Sequence, residues 1–203
     1  MCGIGGIMTF DGRPPESEAL DRMSELLSHR GPDGKGRHLS GDVGLVQTRL
    51  AIIDLETGDQ PIYVRDSKKL AKAVLVANGE IYNYVELKQR LTQTTFSTNC
   101  DCELPLHLYL NHGKDFAKLL RGMYAIAIHD LKTEKLILSR DPFGIKPLYY
   151  CETDYGFVFA SEVQAILRAG LHTPKLNKAK RDELMQLQFT TGAQTVFKGI
   201  FRL

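Results

Sequence analysis

Four strand-like stretches crowd into residues 124–160, at 124–129, 135–140, 148–151 and 157–160. The gaps between them are too short for the crossover that parallel neighbours require, about a dozen residues or more. The spacing therefore predicts a run of antiparallel, hairpin-like strands, with Pro142, Gly144, Pro147 and Gly156 marking the turns. Upstream, 73–77 reads Ala-Val-Leu-Val-Ala, a fully apolar run of buried-strand type. Residues 43–54 predict a further strand with a bend, its apolar run broken by Arg49. A helix is expected at 15–30, where Leu20, Met23, Leu26 and Leu27 share one face. Others are expected at 84–91, 103–111, 162–168 and 178–187, the last capped by Asn177, with a further helical turn at 116–120. Helices lie before and between the strands without strict alternation. That predicts an α+β fold with largely antiparallel sheets, not a doubly wound parallel one.

A chain of 203 residues suits one domain, or one domain plus a short extension. Its net charge of +2 gives no electrostatic ground for a nucleic acid or a membrane surface as partner. No apolar run is long enough to span a bilayer. No basic stretch followed by an apolar one opens the chain, so a cytoplasmic location is the expectation. The cysteines, Cys2, Cys100, Cys102 and Cys151, are too sparse for a disulfide framework. Cys100-Asp101-Cys102 lacks the second pair that a structural zinc clip needs, so no metal is expected.

Cys2 directly follows Met1. With Met1 removed, one residue carries both a thiol and a free α-amine. The amine titrates near 7.7–8.0, so at neutral pH it can serve as base for the thiol. On its own, a cysteine there is as readily a small buried hydrophobe. Arg49, inside an apolar run, needs a carboxylate, either from a ligand or from a neighbour such as Asp54 or Glu56. Asn78-Gly79-Glu80 follows a buried strand. A side-chain amide plus a backbone N–H makes an oxyanion hole, although Asn-Gly is also the commonest tight-turn pair. Asp101 precedes a helix, where capping is the ordinary role and an amine ligand the alternative. Arg140-Asp141-Pro142-Phe143-Gly144 reads as a hairpin loop. As a set, Arg49 offers a clamp for a carboxylate and Glu80 and Asp101 offer acids for an ammonium. Asn78 and Gly79 add the oxyanion donors, and Cys2 the nucleophile. The matching ligand has an α-carboxylate, an α-ammonium and a side-chain amide, as glutamine and asparagine do.

Several motifs occur in order: Met1-Cys2-Gly3-Ile4, His29-Arg30-Gly31-Pro32-Asp33, Arg49-Leu50-Ala51-Ile52-Ile53-Asp54 and Asn78-Gly79-Glu80-Ile81-Tyr82-Asn83. Asp101-Cys102-Glu103, Arg140-Asp141-Pro142-Phe143-Gly144-Ile145-Lys146-Pro147-Leu148-Tyr149 and Ala160-Ser161-Glu162 follow. Together they resemble the class II glutamine amidotransferase domain of the N-terminal-nucleophile hydrolases, most closely that of glutamine-dependent asparagine synthetases. The resemblance implies a four-layer αββα sandwich of two mainly antiparallel sheets. It implies Cys2 as nucleophile with its own α-amine as base, and Asn78 and Gly79 as oxyanion hole. It places Arg49 on the glutamine α-carboxylate, Glu80 and Asp101 around the α-amine, and Ile53 in a backbone contact to substrate. Its amidotransferase rivals act on glucosamine phosphate, on purine precursors, or on acceptors that become other amides or lactams. A non-catalytic domain that keeps the fold to bind an amino acid or a partner is the alternative from another class.

Cys100 departs from the family pattern, which has a small residue there, often Ser. A second thiol beside the pocket predicts a site more easily oxidised. Residues 195–203 resemble the stretch that runs on into a synthetase domain. The resemblance thus implies a glutaminase domain at 1–170, and at 171–203 a helix and strand leading toward that domain. It implies no cofactor within these residues, with ATP and magnesium expected only in the synthetase half. It also implies glutamine as substrate and the synthetase domain as partner in cis, and leaves a homodimer open.

Overall fold

The computed structural model describes residues 1–203. The first half runs β1 (Gly3–Thr9), α1 (Ser17–Leu27), β2 (Gly34–Ser40), β3 (Val43–Arg49), β4 (Ile62–Arg65), β5 (Ala71–Ile81) and α2 (Tyr84–Arg90). The second half runs α3 (Leu104–His112), β6 (Gly122–Asp130), β7 (Lys135–Arg140), β8 (Tyr149–Glu152), β9 (Gly156–Ala160), α4 (Val163–Arg168), α5 (Lys178–Leu187) and β10 (Phe201–Arg202). Two antiparallel sheets result, one ordered β10-β8-β9-β1-β3-β2 and the other β4-β5-β6-β7.

The two-residue period of the strands builds the layers. In β5, Ala73, Leu75 and Ala77 pack with Leu87 of α2 and with Leu104, Leu106 and Leu108 of α3. The alternate residues Val74 and Val76 pack on Ile4, Val43 and Leu45 of the other sheet. That sheet turns Ile7 and Val46 to Leu20, Met23 and Leu27 of α1 and to Ala165 and Ile166 of α4. The order is helix, sheet, sheet, helix: a four-layer αββα sandwich. A strand buried on both faces has no polar side to show, which is why 73–77 reads as unbroken apolar sequence. No helix is long and apolar enough to cross a membrane.

Three expectations are corrected. The strands of 124–160 do not form one meander. β6 and β7 pair in the four-stranded sheet, and β8 and β9 in the six-stranded one. The loop between carries the chain across, held by Asp141. Its carboxylate accepts the N–H groups of Tyr124, Ile145 and Lys146 at 3.3, 2.9 and 3.0 Å. The strand expected at 43–54 ends at Arg49, where side chains take over the next two N–H groups. The first helix ends as α-helix at Leu27, with a 3-10 turn over Ser28–Arg30. β1, β2 and β4 were not expected, whereas β10 falls within the helix and strand expected at 171–203, and α5 falls on 178–187 with the Asn177 side chain accepting from Lys180 N–H at 3.4 Å.

Between the sheets, buried His38 of β2 meets buried His129 of β6, Nε2 to Nδ1 at 3.0 Å, and its Nδ1 lies 3.3 Å from the Tyr63 hydroxyl of β4. Burial pushes the His38 imidazole down to about 4, and His129 beside it adds to the shift. His129 is lowered too, chiefly by burial, which outweighs the carboxylates of Asp42, Asp130 and Glu134. An unfolded histidine takes its proton near 6.5, so below that pH the unfolded chain binds more protons and stability falls. We expect a loss of about 2 kcal/mol between pH 6.5 and 5 from His38 alone. Urea unfolding across that window measures it. The double variant His38→Leu/His129→Leu should flatten the slope, and a flat wild-type curve would contradict a neutral buried pair.

Candidate active site

β1 and β3 run side by side with Gly3 opposite Thr48, which sets Cys2 at the level of Arg49, where β3 ends. The ladder stops there for a visible reason. Cys2 Sγ accepts the Leu50 N–H at 3.3 Å, and Asp33 Oδ2 accepts the Ala51 N–H at 2.8 Å. The Cys2 carbonyl accepts from Arg30 Nε at 3.1 Å, and Arg30 is itself fixed by Glu162 at 2.7 Å. Cys2 is half-buried, and Met1 before it is exposed.

Asn78 and Gly79 do not form a turn. They lie within β5, with Gly79 opposite Tyr124 of β6. The main-chain groups of Tyr124 bond Asp141 on the β7 side, so 77, 79 and 81 aim theirs away from β6. β4 does not reach that far along β5. The Ala77 N–H goes instead to Gln60 Oε1 at 2.6 Å and the Ile81 N–H to Asp101 Oδ2 at 2.7 Å. Between them the Gly79 N–H faces the cavity. A Cβ on Gly79 would lie 2.7 Å from the Met123 carbonyl, so only glycine permits this approach. Asn78 is 2% exposed, and its Nδ2 has no partner in the protein. Leaving such a donor unpaired costs about 1–3 kcal/mol, a cost that an acceptor on a ligand removes.

The residues singled out in the sequence, Cys2, Arg49, Ile53, Asn78, Gly79, Glu80 and Asp101, all line one cleft that opens to solvent. Arg49 is buried and pairs with Asp59 at 2.7 Å, not with the carboxylates of Asp54 or Glu56. Its other nitrogen donates to the carbonyls of Ile53 and Asp54. Asp59 is 83% exposed, so it occupies the guanidinium from the solvent side and can be displaced. Asp101 does not cap the helix that follows. Its Oδ2 is held by the Ile81 N–H, and its Oδ1 accepts from Cys100 Sγ at 3.5 Å. Glu80 is exposed at the rim.

Two of the other cysteines are poor nucleophiles at neutral pH, because their thiols stay protonated. The Cys102 thiol is pushed well above its ordinary range by its hydrogen bond with Cys100, by burial and by the Asp101 carboxylate. Burial pushes Cys151 up to about 11. Sequence reasoning passed over Lys146, whose buried side chain lines the cleft with Nζ 3.5 Å from Met1 Sδ, and Gln60. The motif around Arg140 was the signal for Lys146. Gln60 had none.

Residues 1–203 match the family described as the glutamine amidotransferase domain. The chain belongs to that family. The amidotransferase domain is similar to asparagine synthetase [glutamine-hydrolyzing] 2 of Bacillus subtilis, 41% identical over 82% of this chain and 22% of that one. It is 37% identical, over its whole length and 42% of the other, to a putative asparagine synthetase [glutamine-hydrolyzing] 2 of Methanocaldococcus jannaschii. This chain thus spans less than half the length of those curated relatives. Among solved structures, the glutamine phosphoribosylpyrophosphate amidotransferase of Bacillus subtilis shares the fold, with a TM-score of 0.68 at 24% identity over 86% of this chain and 45% of that one. A second, described as the allosteric regulatory enzyme of purine biosynthesis, has a TM-score of 0.68 at 25% identity, over 83% and 43%.

Proposed function

We propose that this domain hydrolyses glutamine to glutamate and ammonia through a thioester on Cys2, and supplies the ammonia to a synthetase domain of the asparagine-synthetase type. The observation that carries the reading is the unpaired, buried Asn78 Nδ2 beside the Gly79 N–H, in one cleft with the Cys2 thiol. Two fixed donors next to a nucleophile suit a carbonyl carbon that becomes tetrahedral. The names of the relatives, and the fraction of their length this chain spans, support the partner. ATP and magnesium would serve that synthetase part, and none of the steps below needs them.

With Met1 removed, the Cys2 α-amine takes the thiol proton and the thiolate attacks the side-chain amide carbon. The oxyanion that forms is held by Asn78 Nδ2–H and the Gly79 N–H. The α-ammonium returns the proton to the amide nitrogen, the C–N bond breaks, and ammonia leaves a glutamyl thioester on Sγ. Water adds to the thioester, its proton passing to the amine. The C–S bond then breaks, releasing glutamate and restoring the thiol. Arg49 exchanges Asp59 for the substrate α-carboxylate, the Ile53 main chain lies alongside, and Asp101 with Glu80 holds the α-ammonium.

Intact mass and ammonia release on the same sample test the reading. Protein lacking Met1 should turn over glutamine. A variant with one alanine inserted between Met1 and Cys2 should be inactive, and turnover by that variant would defeat the mechanism. Arg49→Lys keeps the charge but loses the two-pronged geometry, so KM for glutamine should rise about tenfold or more while kcat changes little. A fall in kcat at unchanged KM would place Arg49 elsewhere in the reaction.

A further inference from the structure

The cleft holds more sulfur than acyl transfer uses. Cys100 and Cys102, both buried, stand on either side of Asp101, and one donor atom from each of the three lies within 4.8 Å of the others. The donors are already oriented. Asp101 Oδ2 is anchored by the Ile81 N–H at 2.7 Å, which leaves Oδ1 turned to Cys100 Sγ at 3.5 Å, while Cys102 Sγ sits 3.8 Å from the Gly79 carbonyl. A tetrahedral zinc-like site spaces sulfur and oxygen ligands by about 3.5–3.8 Å, within reach of small side-chain rotations here. Cys2 Sγ lines the same cleft but is not one of the three grouped donors. The sequence argued against a structural zinc clip because a second cysteine pair is missing. The fold buries the three and turns one donor atom of each toward the others, so Asp101 supplies a third ligand without a second pair.

The geometry points to a binding site for a soft divalent cation, of the zinc and cadmium class, formed by Cys100 Sγ, Asp101 Oδ1 and Cys102 Sγ. Two thiolates and one carboxylate select such an ion over magnesium or calcium, which prefer oxygen ligands. Each thiol gives its proton to solvent as its bond to the ion forms, so no oxidant or reductant is involved and binding weakens as pH falls. An ion there takes the Asp101 oxygen that our functional reading gives to the substrate ammonium. To that extent the inference rests on that reading, and it makes the ion a competitor of glutamine.

Cadmium chloride titrated into the 203-residue protein tests this, because cadmium–thiolate bonds absorb in the near ultraviolet. One equivalent should bind. Cys2→Ala should retain the band, Cys100→Ser and Cys100→Ala should each weaken binding by about tenfold or more, and Cys151→Ser should leave it unchanged. Circular dichroism reports whether each variant is folded. Loss of the band in Cys2→Ala alone, or equal affinity in folded Cys100→Ser, would overturn the proposal and assign the ion to the catalytic thiol. Glutamine added to the cadmium-loaded Cys2→Ala protein should displace the ion. Binding that survives saturating glutamine would leave the metal site standing and refute the placement of the substrate ammonium on Asp101, so the two failures are distinguishable.

Discussion

Ammonia release from glutamine is expected to fall by about six orders of magnitude in Cys2→Ala. The size of the effect decides what it means. A substitution that only perturbs the cleft changes a barrier by about 1–2 kcal/mol, a factor of roughly five to thirty. Removing the atom that forms the covalent intermediate leaves only the donors and the binding groups. Those should be intact. The Cys2 side chain is half-buried and bonds only the main chain of Leu50, at 3.3 and 3.6 Å, so its loss costs the fold little. Arg49, Asp101 and Asn78 are placed by β3, by the Ile81 N–H and by β5, none of which involves the thiol. Glutamine affinity by calorimetry should therefore stay within about threefold of wild type, the signature of an interaction made only along the reaction path. Persistent turnover would defeat Cys2 as nucleophile. Absence of turnover in the mature wild type, with glutamine still bound, would favour a domain that keeps the fold only to bind.

The elements legible in the sequence are those whose period survives burial. β7 falls on 135–140 and α5 on 178–187, and the core of β5 shows as an unbroken apolar run. β1 was illegible because its sequence, Gly-Ile-Gly-Gly, looks like a loop. Those glycines answer packing rather than turning, since a Cβ on Gly6 would lie 2.5 Å from the Phe159 ring. β2 lies along a sheet edge with mostly exposed and half-exposed positions, and its one buried side chain is the polar His38, so it carries little apolar signal. The site shows a parallel split. Residue type alone suggested the chemistry of Cys2, Arg49 and Asn78, but two local readings pointed the wrong way. Asn-Gly favours a turn and Asp before a helix favours a cap. Both were overruled by partners far off in sequence: β6 running alongside Gly79, and the Ile81 N–H meeting Asp101. Neither partner is visible from within a short window. The switch of sheets between β7 and β8 was hidden in part for the same reason: of the three N–H groups gathered on the Asp141 carboxylate, that of Tyr124 comes from β6, while those of Ile145 and Lys146 lie within the loop itself.

Asn78→Ala should lower kcat for glutamine hydrolysis by about a hundredfold to a thousandfold while KM moves less than about threefold. A donor aimed at a developing oxyanion is worth more in the transition state than to a ground-state amide carbonyl, so the loss belongs in kcat. The same variant separates this role from a structural one. Truncating a buried, hydrogen-bonded asparagine ordinarily destabilises, because it strands a partner. Asn78 Nδ2 has no partner to strand, although the residue is 2% exposed. Its amide is held buried and unpaired in the free protein, which is itself a cost. Asn78→Ala should therefore melt at the wild-type temperature or above it while catalysis collapses. Asn78→Asp provides the opposing control. It keeps the shape but puts a carboxylate oxygen where the amide donates, which repels the oxyanion and should lower kcat further than alanine does. If Asn78→Ala loses stability and keeps its kcat, the amide is a strut of β5, and the oxyanion would have to rest on the Gly79 N–H alone.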